Sequence, residues 1–328
     1  MNFKFLHLII SVFLVFPVYS EEIFFNNHNI HGEDSTFKDF IKWQLSGNKP
    51  DRFSIEMSDE FNLLLKKPKT PYAVWVGHSN FLINNNDINI LTDPIFSKRA
   101  SPISFAGPKR LIPPGINFNL LPDIDVVTVS HAHYDHMDIP TLKRLYEINE
   151  NTLFLVPMNS AKLLLSAGIK NVVEMNWWDT ISLSDTLITF VPVHHWSSRT
   201  PFDKNETLWG GWWFEHSSLK LVHLGDTGYT YDFLTINKEL GSPDFAFIPI
   251  GAYEPRSIMK DSHLNPDEAI QTALDLNATH AIGMHWGTFM LTDEPVQEPP
   301  VLVKNRLKEL DLEGLFTIPI PGKIISLE

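Results

Sequence analysis

Four apolar stretches of this chain each end on histidine or aspartate. DIDVVTVS (123–130) runs into HAHYDHMD (131–138), TFVPVHHW reaches His194 and His195, KLVHLGDTG reaches Asp226, and HAIGMHWG reaches His285. Short apolar runs of this kind read as strands. The carboxyl ends of strands are where an open α/β sheet carries its functional residues. A fold for this sequence must therefore bring several strand ends to one place.

The first stretch is the densest, with three histidines and two aspartates in eight residues. In extended chain, side chains two apart point the same way, so His131 and His133 can share one cation. Asp135 and His136 come where the chain turns into IPTLKRLYEI, and can face a second cation. As a solvated turn the segment would gain nothing structural, since its histidines repel one another once protonated. The chain has no cysteine, so a metal here is held by imidazole and carboxylate. That donor set suits zinc, iron or manganese in a hydrolytic role.

Strands and helices alternate over the rest of the chain. AVWVG, NFLI and INILTDP read as early strands, followed by the loop SPISFAGPKRLIPPG. TLFLVP, NVVEM, TLITFVPV, LKLVHLGD and DFAFIPIG are further strands. SAKLLLSAG, YDFLTINKEL, NPDEAIQTALDL and VLVKNRLKEL carry helical spacing, while EPVQEPP and IPIPG read as surface turns. The order predicts α/β layers, helices outside and sheets inside. The first residues, MNFKFLHLIISVFLVFPVYSEE, have one lysine, an apolar run from Phe5 to Phe16, then Pro17 and a cut point before Glu21. That is the layout of a signal peptide, and the run is short for a membrane span. The expected organisation is a signal peptide (1–20), an N-terminal extension (21–70) with a helix over 37–45, and one domain (71–328). The signal implies export to the periplasm or medium, whether it is cut or kept as an anchor. A net charge of −13 opposes a nucleic-acid partner.

The motifs GHSNFLI, LTDPIFSKRASP, GPKR, SHAHYDHMD, NWWD, HWSSR, LWGGWW, GDTGY, PIGAYEPRSIMK, SHLNPDEA and MHWGTF go further. Together they resemble the family of N-acylphosphatidylethanolamine-hydrolysing phospholipase D and its bacterial relatives, hydrolases of the metallo-β-lactamase fold. The resemblance spans roughly residues 30 to 315, and PIGAYEPR is its most specific element. It implies a four-layer αββα sandwich of metallo-β-lactamase type and two divalent cations, zinc first among them. His131, His133 and His195 would hold one cation, and Asp135, His136 and His285 the other, with Asp226 bridging. Strand alternation does not choose between His194 and His195; the family's His-Trp step selects His195. Asp93 matches a carboxylate set behind the ligands, and His263 a residue that meets the substrate or protonates its leaving group. For His78, in GHSN, a structural role is at least as good a reading.

The implied reaction is phosphodiester hydrolysis of phospholipase D type, on N-acyl phosphatidylethanolamine or a related phospholipid. A water activated between two cations attacks phosphorus, and Asp135 orients it. The competing expectation is a lactonase or other ester hydrolase of the same fold, like the L-ascorbate-6-phosphate lactonases, on a small-molecule substrate. A lipid substrate adds contact with a membrane surface, and the family adds a homodimer. Nine tryptophans fit core packing best, with an acyl-chain groove as the alternative.

Overall fold

A computed structural model describes residues 24–28, 54–64, 66–217 and 219–328. The expected signal peptide, the helix over 37–45 and most of the extension lie outside the described residues. A short helix α1 (Glu60–Leu63) precedes the strands β1 (Tyr72–Gly77), β2 (Asn80–Asn84), β3 (Asn89–Thr92) and β4 (Val126–Thr128). Then come α2 (Ile139–Ile148), β5 (Leu153–Pro157), α3 (Ala161–Ser166), β6 (Val172–Met175), β7 (Thr180–Leu183), β8 (Thr186–Val191), β9 (Gly211–His216) and β10 (Leu219–His223). The last part holds α4 (Asp232–Leu240), β11 (Phe245–Pro249), α5 (Arg256–Met259), α6 (Pro266–Asp275), β12 (His280–Met284), α7 (Glu298–Glu309), β13 (Phe316–Thr317) and β14 (Ile324–Ser326).

The strands form two seven-stranded sheets, ordered β14-β1-β2-β3-β4-β5-β6 and β13-β12-β11-β10-β9-β8-β7. Side-chain alternation explains why both sheets are buried on two faces. In β1, Ala73 and Trp75 point into the core shared with the second sheet, whereas Tyr72, Val74 and Val76 point to the opposite core. That opposite core is closed by Leu142 and Leu145 of α2 and Leu164 of α3. On the far side of the second sheet, α4, α6 and α7 contribute Phe233, Ile236, Ala269, Ile270, Ala273, Val303 and Leu307. The result is the expected αββα sandwich. Phe81 and Phe247 meet edge to face across the two sheets, 4.7 Å between centroids. Trp75, Trp209, Trp212 and Trp213 are fully buried, so these tryptophans belong to the core.

Local chemistry sets the helix starts. Asn265 accepts a hydrogen bond from Glu268 N while the Glu268 side chain returns to Asn265 N, a capping box with Pro266 in the first turn. Helix α7 starts at Glu298, ahead of the expected VLVKNRLKEL. Pro299 and Pro300 occupy its first turn, where no backbone N–H is needed. EPP thus belongs to a helix rather than to a surface turn. Strands β7, β9, β13 and β14 also stand outside the expected set, and β9 is an interior strand of the second sheet.

Candidate metal centre

Strand direction decides where the polar residues gather. β1, β3 and β4 run the same way in the first sheet, as do β8, β10 and β12 in the second. Their carboxyl ends deliver His78, Asp93 and HAHYDHMD from one sheet, and His195, Asp226 and His285 from the other. Gly225 lets the last approach happen: its φ is +60°, and a Cβ there would lie 2.5 Å from Ser130 Cβ.

The gathered side chains fall into two overlapping groups around one carboxylate. His131, His133 and His195 present ligand atoms within 4.8 Å of one another, as do Asp135, His136, His285 and His78. Asp226 Oδ2 lies between the groups. It is 3.0 Å from Nε2 of His136 and of His285, and 4.0 Å from Nε2 of His131 and of His195. Asp135 Oδ2 is 3.5 Å from His136 Nε2 and 3.6 Å from His285 Nε2. His263 stands at the edge, with Nδ1 3.9 Å from Asp226 Oδ2. Of the adjacent pair, His195 joins the cluster. His194 instead forms a backbone bridge with Gly228.

Whether these residues fit cations can be judged from the atoms they leave without partners. His133 Nε2, His263 Nδ1 and Asp226 Oδ1 are buried with no hydrogen-bond partner. Buried polar atoms are rarely left so, and these converge on one space. The donor set, imidazole and carboxylate without thiolate, suits a hydrolytic divalent metal. The water-facing side is shared by His133, Asp135 and His263, which are partly exposed, while Asp226, His131, His136, His195 and His285 are buried.

Proton affinities follow the same geometry. Burial, then the neighbouring imidazoles, hold His131 and His195 well below the usual histidine range; Asp226 opposes this at both. Burial brings His133 and His263 to about 4. At His285 burial is outweighed by Asp226 and Asp135, and the ring is pushed up to about 9. Burial is likewise outweighed at His136, where Asp226, Asp135 and Asp93 hold the ring well above its ordinary value. Asp135 and Asp226 lie well below the carboxylate range, because His136 and its neighbours overcome the cost of burying them.

His136 and His195 are oriented from behind. Asp93 Oδ2 is 2.7 Å from His136 Nδ1 and accepts from Ser130 Oγ at 2.7 Å, leaving His136 Nε2 to face the cluster. Asp93 therefore acts through His136, as a carboxylate behind the cluster. His195 Nδ1 donates to the Ser262 carbonyl at 2.9 Å. Arg256, in PIGAYEPR, is held by both carboxylate oxygens of Glu268 and donates to the His263 carbonyl at 2.8 Å. Arg199 donates to the carbonyls of Ala132 and Met137 and so ties HAHYDHMD to the loop after β8.

The sequence left a structural role for His78 at least as good a reading, and Asn27 went unmarked. His78 Nε2 is 2.9 Å from Asp135 Oδ2, and the signal for it was GHSN itself. Asn27 brackets His195: its amide donates to the His195 carbonyl and accepts from its N–H, both at 3.0 Å. Nothing in the sequence marks Asn27, which lies 168 positions away.

Known proteins resemble this chain. Residues 88–286 match the β-lactamase superfamily domain. Over 250 residues the chain is 39% identical to N-acyl-phosphatidylethanolamine-hydrolyzing phospholipase D 1 of Caenorhabditis elegans, spanning 73% of this chain and 69% of that protein. Over 252 residues it is 35% identical to the mitochondrial N-acyl-phosphatidylethanolamine-hydrolyzing phospholipase D of Saccharomyces cerevisiae, spanning 75% of this chain and 53% of that one. An isothiocyanate hydrolase from Delia radicum gut bacteria shares the fold, with a TM-score of 0.63 at 16% identity over 78% of this chain and 98% of its own. Fold, cluster and relatives define a metal-dependent hydrolase of the metallo-β-lactamase superfamily. Within that superfamily the chain belongs to the family of N-acyl-phosphatidylethanolamine-hydrolysing phospholipases D.

Proposed function

We propose that this hydrolase cleaves a phosphodiester of phospholipase D type, in N-acyl phosphatidylethanolamine or a related phospholipid, at a centre of two zinc ions. The observation that carries the reading is the position of Asp226 Oδ2, within 3.0–4.0 Å of four imidazole nitrogens drawn from two groups. His131, His133 and His195 would hold one cation, Asp135, His136 and His285 the other, with Asp226 between them. Bound there, the cations supply Lewis acidity toward the phosphoryl oxygens and lower the pKa of a water.

The remaining work falls to the chain. Asp135 is partly exposed on the water-facing side, where its carboxylate can accept a hydrogen bond from the attacking water and orient it toward phosphorus, the water's proton leaving to solvent. Water oxygen bonds to phosphorus, and the bond from phosphorus to the ethanolamine oxygen breaks. His263, held at about 4 by burial, is neutral at pH 7. It fits a hydrogen-bond donor to a substrate oxygen better than a full acid, so solvent supplies the leaving alcohol's proton. Asp93 behind His136 and the Ser262 carbonyl behind His195 hold those rings in place for this geometry.

A lipid surface is the proposed meeting place. Phe202 is 91% and Phe105 80% exposed, and both stand on loops hydrogen-bonded to HAHYDHMD through Arg199 and Ser97. Export by the N-terminal segment belongs to the same reading, and pairing into a homodimer rests on the family resemblance.

The test is the full chain loaded with zinc, given vesicles of N-acyl phosphatidylethanolamine and phosphatidylethanolamine, with products read by mass spectrometry. Phosphatidic acid and N-acylethanolamine, absent with Asp226→Ala, are expected. A zinc-loaded protein that releases neither would move the reading to a small-molecule ester or lactone.

A further inference from the structure

We infer that His78 is a positioning residue for the second cation, acting by a hydrogen bond from its Nε2–H to Asp135 Oδ2. The inference rests on the two-cation reading above. His78 is 1% exposed and follows β1 directly. Its Nε2 lies 2.9 Å from Asp135 Oδ2. A carboxylate only accepts, so the imidazole must carry its proton on Nε2 and donate. Asp135 is the one partly exposed member of its group, and the carboxylate most in need of a fixed partner.

The backbone of His78 serves the same group from another direction. Its carbonyl accepts from His285 N at 3.2 Å and from Trp75 Nε1 at 2.7 Å. Its own N–H donates to Thr288 Oγ1 at 2.6 Å. One residue of the first sheet thus fastens both Asp135 and His285, which come from different sheets. Its ring is clamped, 3.9 Å from the His285 ring and edge-on to Phe289 at 5.3 Å.

A purely structural residue would be a poor choice here. His78 has φ +59°, in the left-handed region where glycine or asparagine fits with less strain. A histidine at that φ costs backbone strain, and burying it adds a polar ring to be satisfied. What the ring does in return is hold Asp135.

The test uses metal-free full chain titrated with Zn2+ by calorimetry, with bound metal counted by mass spectrometry. Variants are His78→Phe, His78→Gln and Asp135→Ala, plus His78→Phe in the Asp135→Ala background. For His78→Phe we expect the first zinc to bind as in the parent and the second about 10–100-fold more weakly. His78→Gln, whose amide N–H replaces the ring donor, should recover most of that loss. In the Asp135→Ala background His78→Phe should have no further effect, because the two act as one unit. Undiminished second-site affinity in both His78 variants overturns the inference, as does a loss that His78→Gln fails to recover. An added loss in the Asp135→Ala background overturns it too, since the ring then acts independently of Asp135. If Asp135→Ala itself keeps both ions at full affinity, the assignment of the second site fails instead. Urea melts of the metal-free variants separate a folding defect from a binding one.

Discussion

Asp226 has one oxygen among four imidazoles and the other without a hydrogen-bond partner. The same crowding sets a pH dependence. In the metal-free protein His285, pushed up to about 9, and His136, held well above its usual value, both carry protons at pH 7. A cation must displace them. Zinc affinity should therefore rise with pH, about tenfold per pH unit for each proton displaced, with the His285 contribution levelling off near 9. Calorimetry in buffers of different ionisation enthalpy checks this, and binding at pH 7 without proton release would contradict the carboxylate-driven shifts. The ligand-type character of His131, His133 and His136 was plain from spacing. The part played by His78 was not, because a histidine after a glycine in a turn looks alike whether it faces solvent or a carboxylate 57 positions away.

Among the elements, the strands that end on histidine or aspartate were legible because period-two alternation and an abrupt polar end coincide. β9 was not: GGWWFEH begins with two glycines and carries no alternation, yet it pairs with β8 and β10 in the middle of the second sheet. Here the paired sheet, not local propensity, makes the strand. The N-terminal segment is a different case. Phe25 N donates to the Asn205 carbonyl, and Asn27 brackets the backbone of His195 while accepting from Trp209 Nε1. Phe25 and Asn27 are thus part of the site's frame. Asn27→Ala should cost about 1–3 kcal/mol of stability by leaving the His195 backbone groups unpaired. It should also weaken zinc binding about tenfold or more. A chemical melt and a zinc titration would check both, and unchanged zinc affinity would show that His195 is held without it.

For the molecule as a whole, the centre exists only where the carboxyl ends of strands from the two sheets meet. Phe81 holds the sheets face to face, packed on Trp75 and His223 and edge-on to Phe247. Removing that ring leaves a cavity the rigid sheets cannot close. Phe81→Ala should cost about 3–5 kcal/mol, measured by urea unfolding of the metal-free chain. A loss under about 1 kcal/mol would mean that the sheets are held elsewhere.

By itself the sequence determined the residue types, the apolar runs and their polar ends. These already implied a layered α/β hydrolase with an imidazole–carboxylate centre, since hydrophobic period and donor chemistry are local properties. Which strand ends meet, and that Asn27 and His78 stand behind the cluster, were decided by tertiary structure. Those contacts join residues from 57 to 168 positions apart, and a hydrogen bond between distant segments leaves no period in the chain to read.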